Sequence, residues 1–293
     1  MLEHLNQVSS LPPRTVVLGA TGFVGGALLK RLAERGATTL ALTRSDVDLM
    51  ADDAGERIAS LLRPDDAFVA VAAKAPCKNV QMLAENVKMT LAMVEALRLA
   101  PVAHVINVSS DAVYADGPLP ITEETPRAPT SLHGVMHLAR EIAFMAEVNS
   151  PLAIVRPSLL YGIADPHNGY GPNQFRSLAE DGQDIVLFGN GEERRDHVAI
   201  DDVAELITRI LERRSVGSLN IATGEVTSFK DIAEIVVSLA PKKVAIKSRP
   251  RSGPMPHDGY RPFDATSSRQ AFPDFRYGLL RDGIANMLSA TPR

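Results

Sequence analysis

The run Thr15-Val-Val-Leu-Gly-Ala-Thr-Gly-Phe-Val-Gly25 constrains this chain more than any other stretch. Arg14 to Leu18, with Thr15, Val16 and Val17 β-branched, reads as a short buried strand. Gly19, Gly22 and Gly25 follow at G-x-x-G-x-x-G spacing, and Phe23, Val24, Ala27, Leu28 and Leu32 then recur at helical period. A strand, a glycine turn and a helix in that order make a phosphate site. Gly19 permits the tight turn, Gly22 lets a pyrophosphate approach the backbone, and Gly25 lets the helix pack close to the strand. The helix N-terminus then faces the phosphates. The reading is a dinucleotide-binding βαβ unit.

The rest of the chain has the rhythm such a unit needs. Strand candidates lie at 15–18, 38–42, 67–72, 104–108, 152–155, 185–188 and 218–221, separated by helical patterns. The helix of 79–99 carries Val80, Leu83, Val87, Leu91 and Val94 on one side, and another helix follows Asp201-Asp202 with Val203, Leu206, Ile207 and Ile210. Alternating strands and helices predict an α/β fold, a doubly wound parallel sheet covered on both faces. The rhythm loosens at 162–182, rich in Gly, Pro, Asn and His, and again at 249–275. These segments predict a smaller, discontinuous C-terminal substrate domain. The expected division is 14–162 plus 183–222 for the dinucleotide-binding domain and 163–182 plus 223–293 for the substrate domain. Residues 1–13 form a loose leader.

Composition narrows the function classes. The 293 residues hold 31 Lys and Arg against 35 Asp and Glu, a net charge of -4 that argues against nucleic acid or an anionic membrane as partner. No run is long and apolar enough to span a bilayer, and the first residues lack the basic and apolar regions of a secretory signal. The single cysteine, Cys77, excludes an internal disulfide and suits a reducing cytoplasm, the expected location.

The tip of the second strand bears on cofactor choice. Where a NAD site places a carboxylate for the ribose 2′-hydroxyl, Thr38 to Leu42 runs into Thr43-Arg44-Ser45. Arg44 is suited to a 2′-phosphate, so NADP is expected in preference to NAD. Asp46 and Asp48 lie close by.

These features resemble the extended short-chain dehydrogenase/reductases, the NAD-dependent epimerase/dehydratase family of sugar-nucleotide enzymes, from Arg14 to Ile284. Gly19-Ala-Thr-Gly-Phe-Val-Gly25 matches the family fingerprint, Val71-Ala72-Ala73 its fourth-strand alanine pair, and Glu85-Asn86-Val87 its long-helix motif. Val108-Ser109-Ser110-Asp111-Ala112-Val113-Tyr114 resembles the strand with the catalytic Ser or Thr, which falls on Ser110. Val155-Arg156-Pro157 through Gly162 resembles the segment passing the nicotinamide. Gly189 to Val198, with Asp201-Asp202-Val203, is similar to the Arg-Asp-aromatic signature. The resemblance implies a Rossmann-type fold with cofactor contacts at Gly19, Thr21, Gly22, Phe23, Val24 and Gly25. Further contacts fall at Arg44, Asp48, Ala72, Ala73, Asn86, His137 and Pro157. Ser110, Asn173, Arg195 and Arg261 fall at substrate-binding positions, although the spacing of Arg261-Pro-Phe-Asp264 is compressed. The implied substrate is a nucleotide-diphosphate sugar, and the implied assembly is a homodimer through the helix of 79–99 and the helix starting near His133. The stretch from Ser110 to Gly117, with Pro120 to Pro126, looks most like 4-dehydrorhamnose reductases and related reductases and epimerases. Asp111 aligns with the acid of dehydratases, but Ala112 replaces the Glu that follows it there.

The chain departs from the family at its acid/base motif. The segment aligned with Tyr-x-x-x-Lys reads Ser131-Leu-His-Gly-Val-Met-His-Leu-Ala-Arg-Glu141, with His133 for the tyrosine and His137 for the lysine. A tyrosine needs a cation to lower its pKa from about 10, whereas an imidazole starts near 6.5. Losing both residues together therefore makes chemical sense. The expected roles are Ser110 on the reacting oxygen, His133 as proton donor or acceptor with an ionisation between about pH 6 and 8, His137 on the ribose or tuning His133, and Asp111 as second acid. Three alternatives stand beside this: a catalytically silent protein that keeps the cofactor fold for regulation or interaction, a metal site on His133 and His137, and a merely hydrogen-bonded, partly buried histidine at either position, the default for His137. The motif holds no acidic residue and no third ligand, so no metal is expected. His197 reads as packing and His167 as a weaker candidate in the substrate segment.

Overall fold

The computed structural model describes residues 2–290. The first half of the chain comprises β1 (Glu3–His4), β2 (Arg14–Leu18), α1 (Phe23–Glu34), β3 (Thr39–Leu42), α2 (Ala54–Leu61), β4 (Asp66–Ala70) and α3 (Val80–Leu99). It continues with β5 (His104–Val108), α4 (Leu132–Glu147) and β6 (Leu152–Pro157). The second half carries β7 (Leu159–Tyr161), α5 (Pro172–Asp181), β8 (Ile185–Phe188), β9 (Arg194–Ala199), α6 (Ile200–Arg213) and β10 (Ser215–Ile221). Then come β11 (Val226–Ser228), α7 (Phe229–Leu239), β12 (Ile246–Arg249), β13 (Tyr260–Arg261), α8 (Thr266–Ala271) and α9 (Leu280–Ser289).

A seven-stranded sheet runs in the order β1-β10-β6-β5-β4-β2-β3, parallel except for β1. Its central strands are buried on both faces, which is why they read as unbroken apolar runs. Val17, Val69 and Ile106 point to the α1 and α6 side, where Leu28, Leu32, Leu206 and Ile210 meet them. Their neighbours Val16, Phe68 and Val105 point the other way, against Ile58 of α2 and Met93 and Leu97 of α3. The period-2 alternation of a strand divides one apolar run between two cores.

The segment of 1–13 is not a loose leader. Glu3 and His4 pair antiparallel with Val216 and Ser215 as the edge of the sheet. The His4 ring bonds to Ser215 Oγ at 2.7 Å and to the Ala271 carbonyl at 2.9 Å, and Leu2 and Leu11 pack on the core. Pairing with an otherwise open edge and burying two leucines holds the segment down.

The smaller unit also differs from its expected boundaries. β8 pairs in parallel with β12, and its Ile185 and Leu187 share a core with Phe175, Phe229, Ile232 and Ile284. β9 lies between β11 and β13, with β7 alongside. The stretch of 185–199 therefore belongs with α5, α7 and α9, while α6 and β10 return to the large sheet. Conversely, Phe272 and Phe275 pack into the large core.

The stripe expected on α3 is mostly turned outward, with Leu83 half-buried and Val94 buried. Val80, Val87 and Leu91 are 71%, 51% and 65% exposed, while Asn86, Met89, Met93, Val94 and Leu97 form the buried face. The adjoining α4 exposes Val135, Ile142 and Met145. Among the described residues no helix is long and apolar enough to cross a membrane.

Candidate cofactor and active site

The glycine turn between β2 and α1 has the geometry its spacing implies. Gly19 adopts φ +97°, and a Cβ there would lie 2.7 Å from the Ala72 nitrogen. A Cβ on Gly25 would lie 2.2 Å from the Gly19 carbonyl, so the helix closes on the turn only without a side chain. A Cβ on Gly22 would meet nothing nearer than that same carbonyl, at 3.3 Å, and Gly22 lines a cavity. Gly22 caps α1 with no side-chain bond to the first helical N–H groups. Those donors and the positive end of the helix are available to an anion.

This cavity of about 730 Å³ lies at the C-terminal ends of the central strands, where open α/β sheets bind ligands. Gly19, Thr21, Gly22, Phe23 and Val24 line its middle, with Ala72 and Ala73 opposite. Arg44 and Asp48 line one end. Ser110, Asp111, His133, His137 and Pro157 line the other. Residues drawn from five strand ends and from α4 thus share one space. A nicotinamide dinucleotide fits this donor set: an uncapped helix end, a glycine turn without Cβ atoms, and an arginine beyond β3.

The end of the cavity at Arg44 is electrostatically mixed. Arg44 is 76% exposed and only 3.6 Å from Asp48. Asp46 turns away from the cavity, accepting from Thr43 N at 2.8 Å and from Thr43 Oγ1 at 2.6 Å, which hold its carboxyl below the usual range. Lys74 also lines the cavity and pairs with Glu85 at 2.7 Å; this second cation has no counterpart among the sequence expectations. Its signal was its place directly after the alanine pair. Asn86 acts from behind: its Oδ1 accepts from Lys74 N at 2.9 Å and its amide donates to the Lys74 and Met82 carbonyls, pinning the loop after β4.

At the other end local capping sets the catalytic candidates. Ser110 caps a short 3₁₀ turn, its Oγ accepting from Ala112 N at 3.2 Å and donating to Asp111 Oδ1 at 3.3 Å. Ser131 caps α4 by accepting from Gly134 N at 3.1 Å. A Cβ on Gly134 would lie 2.0 Å from the Ala112 carbonyl, so a glycine here lets α4 bring His133 down beside the Ser110 turn. His133 Nδ1 accepts from Cys77 N at 3.4 Å, and the rings of His133 and His137 meet edge to face with centroids 4.7 Å apart. Burial pushes the His133 imidazole below its ordinary value, opposed by Asp111 and aided by Arg140. Burial, Arg140 and His133 push His137 well below. The ionisation expected between pH 6 and 8 therefore moves to the acid side. Among the described residues no cluster of three His, Cys, Asp or Glu side chains could hold a metal ion.

Behind the site lies a buried polar network. Glu141 accepts from Arg156 Nε and Nη2, each at 2.8 Å, from Ser109 Oγ at 2.5 Å and from Arg127 at 3.2 Å. Burial alone would raise its carboxyl; these donors hold it below the usual range. Arg156 also donates to the Tyr114 hydroxyl at 2.7 Å, which donates to Asn220. The network fixes both ends of the strap from Ser109 to Tyr114 that presents Ser110.

The residues expected to hold a diphosphate do not reach this cavity. Asn173 is buried, accepting from Gly162 N at 2.9 Å and donating to Asp165 at 2.7 Å, and so ties the loop between β7 and α5. Arg195 donates to Glu193 at 2.9 Å. Arg261 is 3% exposed and is taken up by Asp111 and Asp116. All three have partners within the chain, and the Arg261 segment folds back on the Ser110 strap.

The sequence profile of the NAD dependent epimerase/dehydratase family matches residues 15–222. The fold is shared with UDP-glucose 4-epimerase of Thermotoga maritima, solved with UDP-glucose, at TM-score 0.80 and 21% identity over 94% of this chain and 97% of that one. It is shared with UDP-glucose 4-epimerase of Thermus thermophilus, solved with NAD, at TM-score 0.79 and 22% identity over 94% and 97%. RMD of Pseudomonas aeruginosa, solved with NADPH, superimposes at TM-score 0.80 and 20% identity over 94% and 98%. With a glycine cradle at the head of a parallel sheet and a profile match over most of its length, this chain belongs to the NAD-dependent epimerase/dehydratase family.

Proposed function

We propose that this protein is an NAD(P)-dependent oxidoreductase or epimerase that acts on a nucleotide-diphosphate sugar at one sugar carbon. The observation that carries the reading is the single cavity joining the glycine turn to Ser110 and His133. The solved structures with UDP-glucose, NAD and NADPH support the same classes of ligand here.

A nicotinamide cofactor, when bound, supplies the hydride donor or acceptor. The chain's own groups do the rest. The N-terminus of α1 and Gly22 hold the pyrophosphate, and Arg44 with Lys74 favours the 2′-phosphate of NADP. Ala72, Ala73 and Pro157 wall the space. Ser110 hydrogen-bonds the reacting oxygen. His133 takes or gives that oxygen's proton, and His137 orients and tunes His133. Asp111, fixed by Arg261, is the nearest carboxylate and sets the field at His133. Proton transfer by such a positioned group is worth about 10²–10⁴-fold.

The exposed apolar faces of α3 and α4 support a homodimer in which two copies form a four-helix bundle, and the cytoplasm suits a chain with one buried thiol. Absorbance at 340 nm on mixing purified protein, NADPH or NADH, and candidate nucleotide sugars tests the activity. Cofactor binding with no turnover on any of them would instead support the silent, regulatory reading.

A further inference from the structure

Arg140 is a buried cation without a carboxylate partner. It is 2% exposed. Its Nη1 donates to the Ala72 carbonyl at 2.9 Å, its Nη2 donates to the Val108 carbonyl, and its Nε has no partner. Both carbonyls belong to residues lining the cofactor cavity. The carboxylate next along the helix, Glu141, is already committed to Arg156, Ser109 and Arg127. Carbonyls satisfy hydrogen bonds, but they cancel no charge. Glu141 offsets part of that charge without touching it, and a buried cation in a low dielectric acts on whatever titrates beside it.

What stands beside it is the histidine pair. On α4, His133, His137 and Arg140 are spaced i, i+4 and i+7, which places them on one helical face. His137 is 6% exposed with an unpartnered Nδ1, and its ring meets that of His133 at 4.7 Å. The opposing charge is Asp111 on the Ser110 turn, and it is engaged by Arg261 and Ser110. From the loop after β4, Cys77 offers His133 a backbone N–H. On α3, which packs against α4, Glu85 pairs with Lys74 and Lys88 with Asp52.

We propose that Arg140 is a positioning residue that supplies, from beneath the site, the cation missing from the Tyr-x-x-x-Lys motif, and that it adds to burial in favouring the neutral form of both imidazoles. Rested on the reading of His133 as the proton-transfer group, this makes His133 a base. The chemistry the site is set for then begins with a substrate hydroxyl rather than a carbonyl. With an oxidised nicotinamide bound to take the hydride, the O–H proton would pass to His133 as the C–H bond broke and a C=O bond formed. An epimerase or a dehydrogenase starts this way; a one-way reductase does not.

Histidine ring resonances of labelled protein, followed by NMR against pH without cofactor, test the electrostatic claim independently of turnover. Spectra of His133→Gln and His137→Gln assign the two rings. In the wild type both are expected to titrate below the ordinary histidine value of about 6.5. Arg140→Gln is expected to raise both midpoints, that of His137 more because it is closer, and Arg140→Lys to leave them low. Arg140→Met replaces the charge with an apolar side chain and gives the same readout should the Gln variant not fold. A wild-type His133 midpoint at or above about 6.5, or unchanged midpoints in the neutral variants, overturns the proposal. Shifted midpoints in a protein with no turnover leave Arg140 its role and sink the catalytic reading, whereas unshifted midpoints in an active enzyme do the reverse. In an active enzyme, the acid limb of cofactor reduction should rise in pH with the His133 midpoint, and a limb that stays put removes the hydroxyl-first step.

Discussion

Arg261 holds Asp111 from two directions: its Nε donates to Asp111 Oδ2 at 3.0 Å and its Nη2 donates to the Asp111 carbonyl at 2.7 Å. The two residues lie 150 positions apart, so the C-terminal segment braces the turn that carries Ser110. Its Nη1 donates to Asp116, which also accepts from His257. A planar guanidinium makes all these bonds at once, and an ammonium does not.

Arg261→Lys should therefore lower kcat by about tenfold, since hydrogen bonds to charged groups contribute about 1.5–3 kcal/mol. KM for the nucleotide sugar and the affinity for cofactor should change little. An arginine that clasped the substrate diphosphate would raise KM at unchanged kcat instead. Steady-state kinetics on the one variant separates the two roles.

Cofactor selection should rest on Arg44. Asp46, the carboxylate nearest the tip of β3, is occupied by Thr43, whereas Arg44 is exposed and loosely held. We expect NADP to bind more tightly than NAD, and Arg44→Ala to cost NADP about tenfold while sparing NAD, as expected from losing one charge-assisted contact. Gly22→Val should abolish binding of both. Calorimetric titration with each cofactor checks this, and equal affinities in the wild type would end the preference.

Asp202 should make stability fall as pH rises. Burial, opposed by a hydrogen bond from Gly278 N at 3.0 Å and aided by Asp201, lifts its carboxyl to about 6. Folded above and unfolded near 3.9, this group costs nothing below about pH 4, an increasing amount up to about pH 6, and its full cost beyond. That cost is on the order of 2–3 kcal/mol. Asp202→Asn, which keeps an acceptor for Gly278, should raise the melting temperature at pH 8 and leave it unchanged at pH 4. An equal rise at both values would place the effect outside titration.

Much of this architecture was legible because it is written locally. The glycine turn and the central strands each depend on residues within a few positions. The histidines of α4 were visible as departures from a motif. What was not legible depends on distant pairing. Two residues, Glu3 and His4, are too few to show strand periodicity, and their partners lie past position 214. Ile185 to Phe188 reads as a strand, but nothing local says that it pairs with Ile246 to Arg249 rather than with the large sheet. Arg261 reads as a free cation until Asp111 and Asp116 are placed beside it. Arg140 was overlooked although its i, i+4, i+7 spacing from His133 marks it as inward-facing.

The α3 stripe predicts assembly. Val80, Val87 and Leu91 are exposed on α3, as are Ile142 and Met145 on α4, and a homodimer through these helices would bury them. Light scattering at micromolar concentration should give twice the monomer mass of 31.5 kDa. Val87→Glu with Leu91→Glu should give a monomer, because burying two unpaired carboxylates in an apolar seam opposes association. A monomeric wild type would remove the dimer.

The last prediction concerns His133 itself. It stands beside the Ser110 turn because Gly134 leaves room for the Ala112 carbonyl, and it lines the cavity. His133→Ala should lower turnover by roughly a hundredfold or more, the worth of a general acid or base, with cofactor affinity nearly intact. Activity in the wild type should rise with pH through a midpoint on the acid side of about 6.5 and then stay level, since burial and Arg140 favour the neutral ring. His133→Tyr alone should not restore activity, because Arg140 lies two turns along α4 with its Nη donors on backbone carbonyls and leaves the phenol without the direct cation partner a lysine at 137 gives. Adding His137→Lys should help, yet less than fully, because a lysine there is buried beside the Arg140 cation and is pushed toward its own neutral form. Stopped-flow measurement of the hydride step across pH, for the wild type and the three variants, reads each of these effects directly. Full activity in His133→Ala would make the histidine a bystander and pass the proton to Asp111, the next group in line.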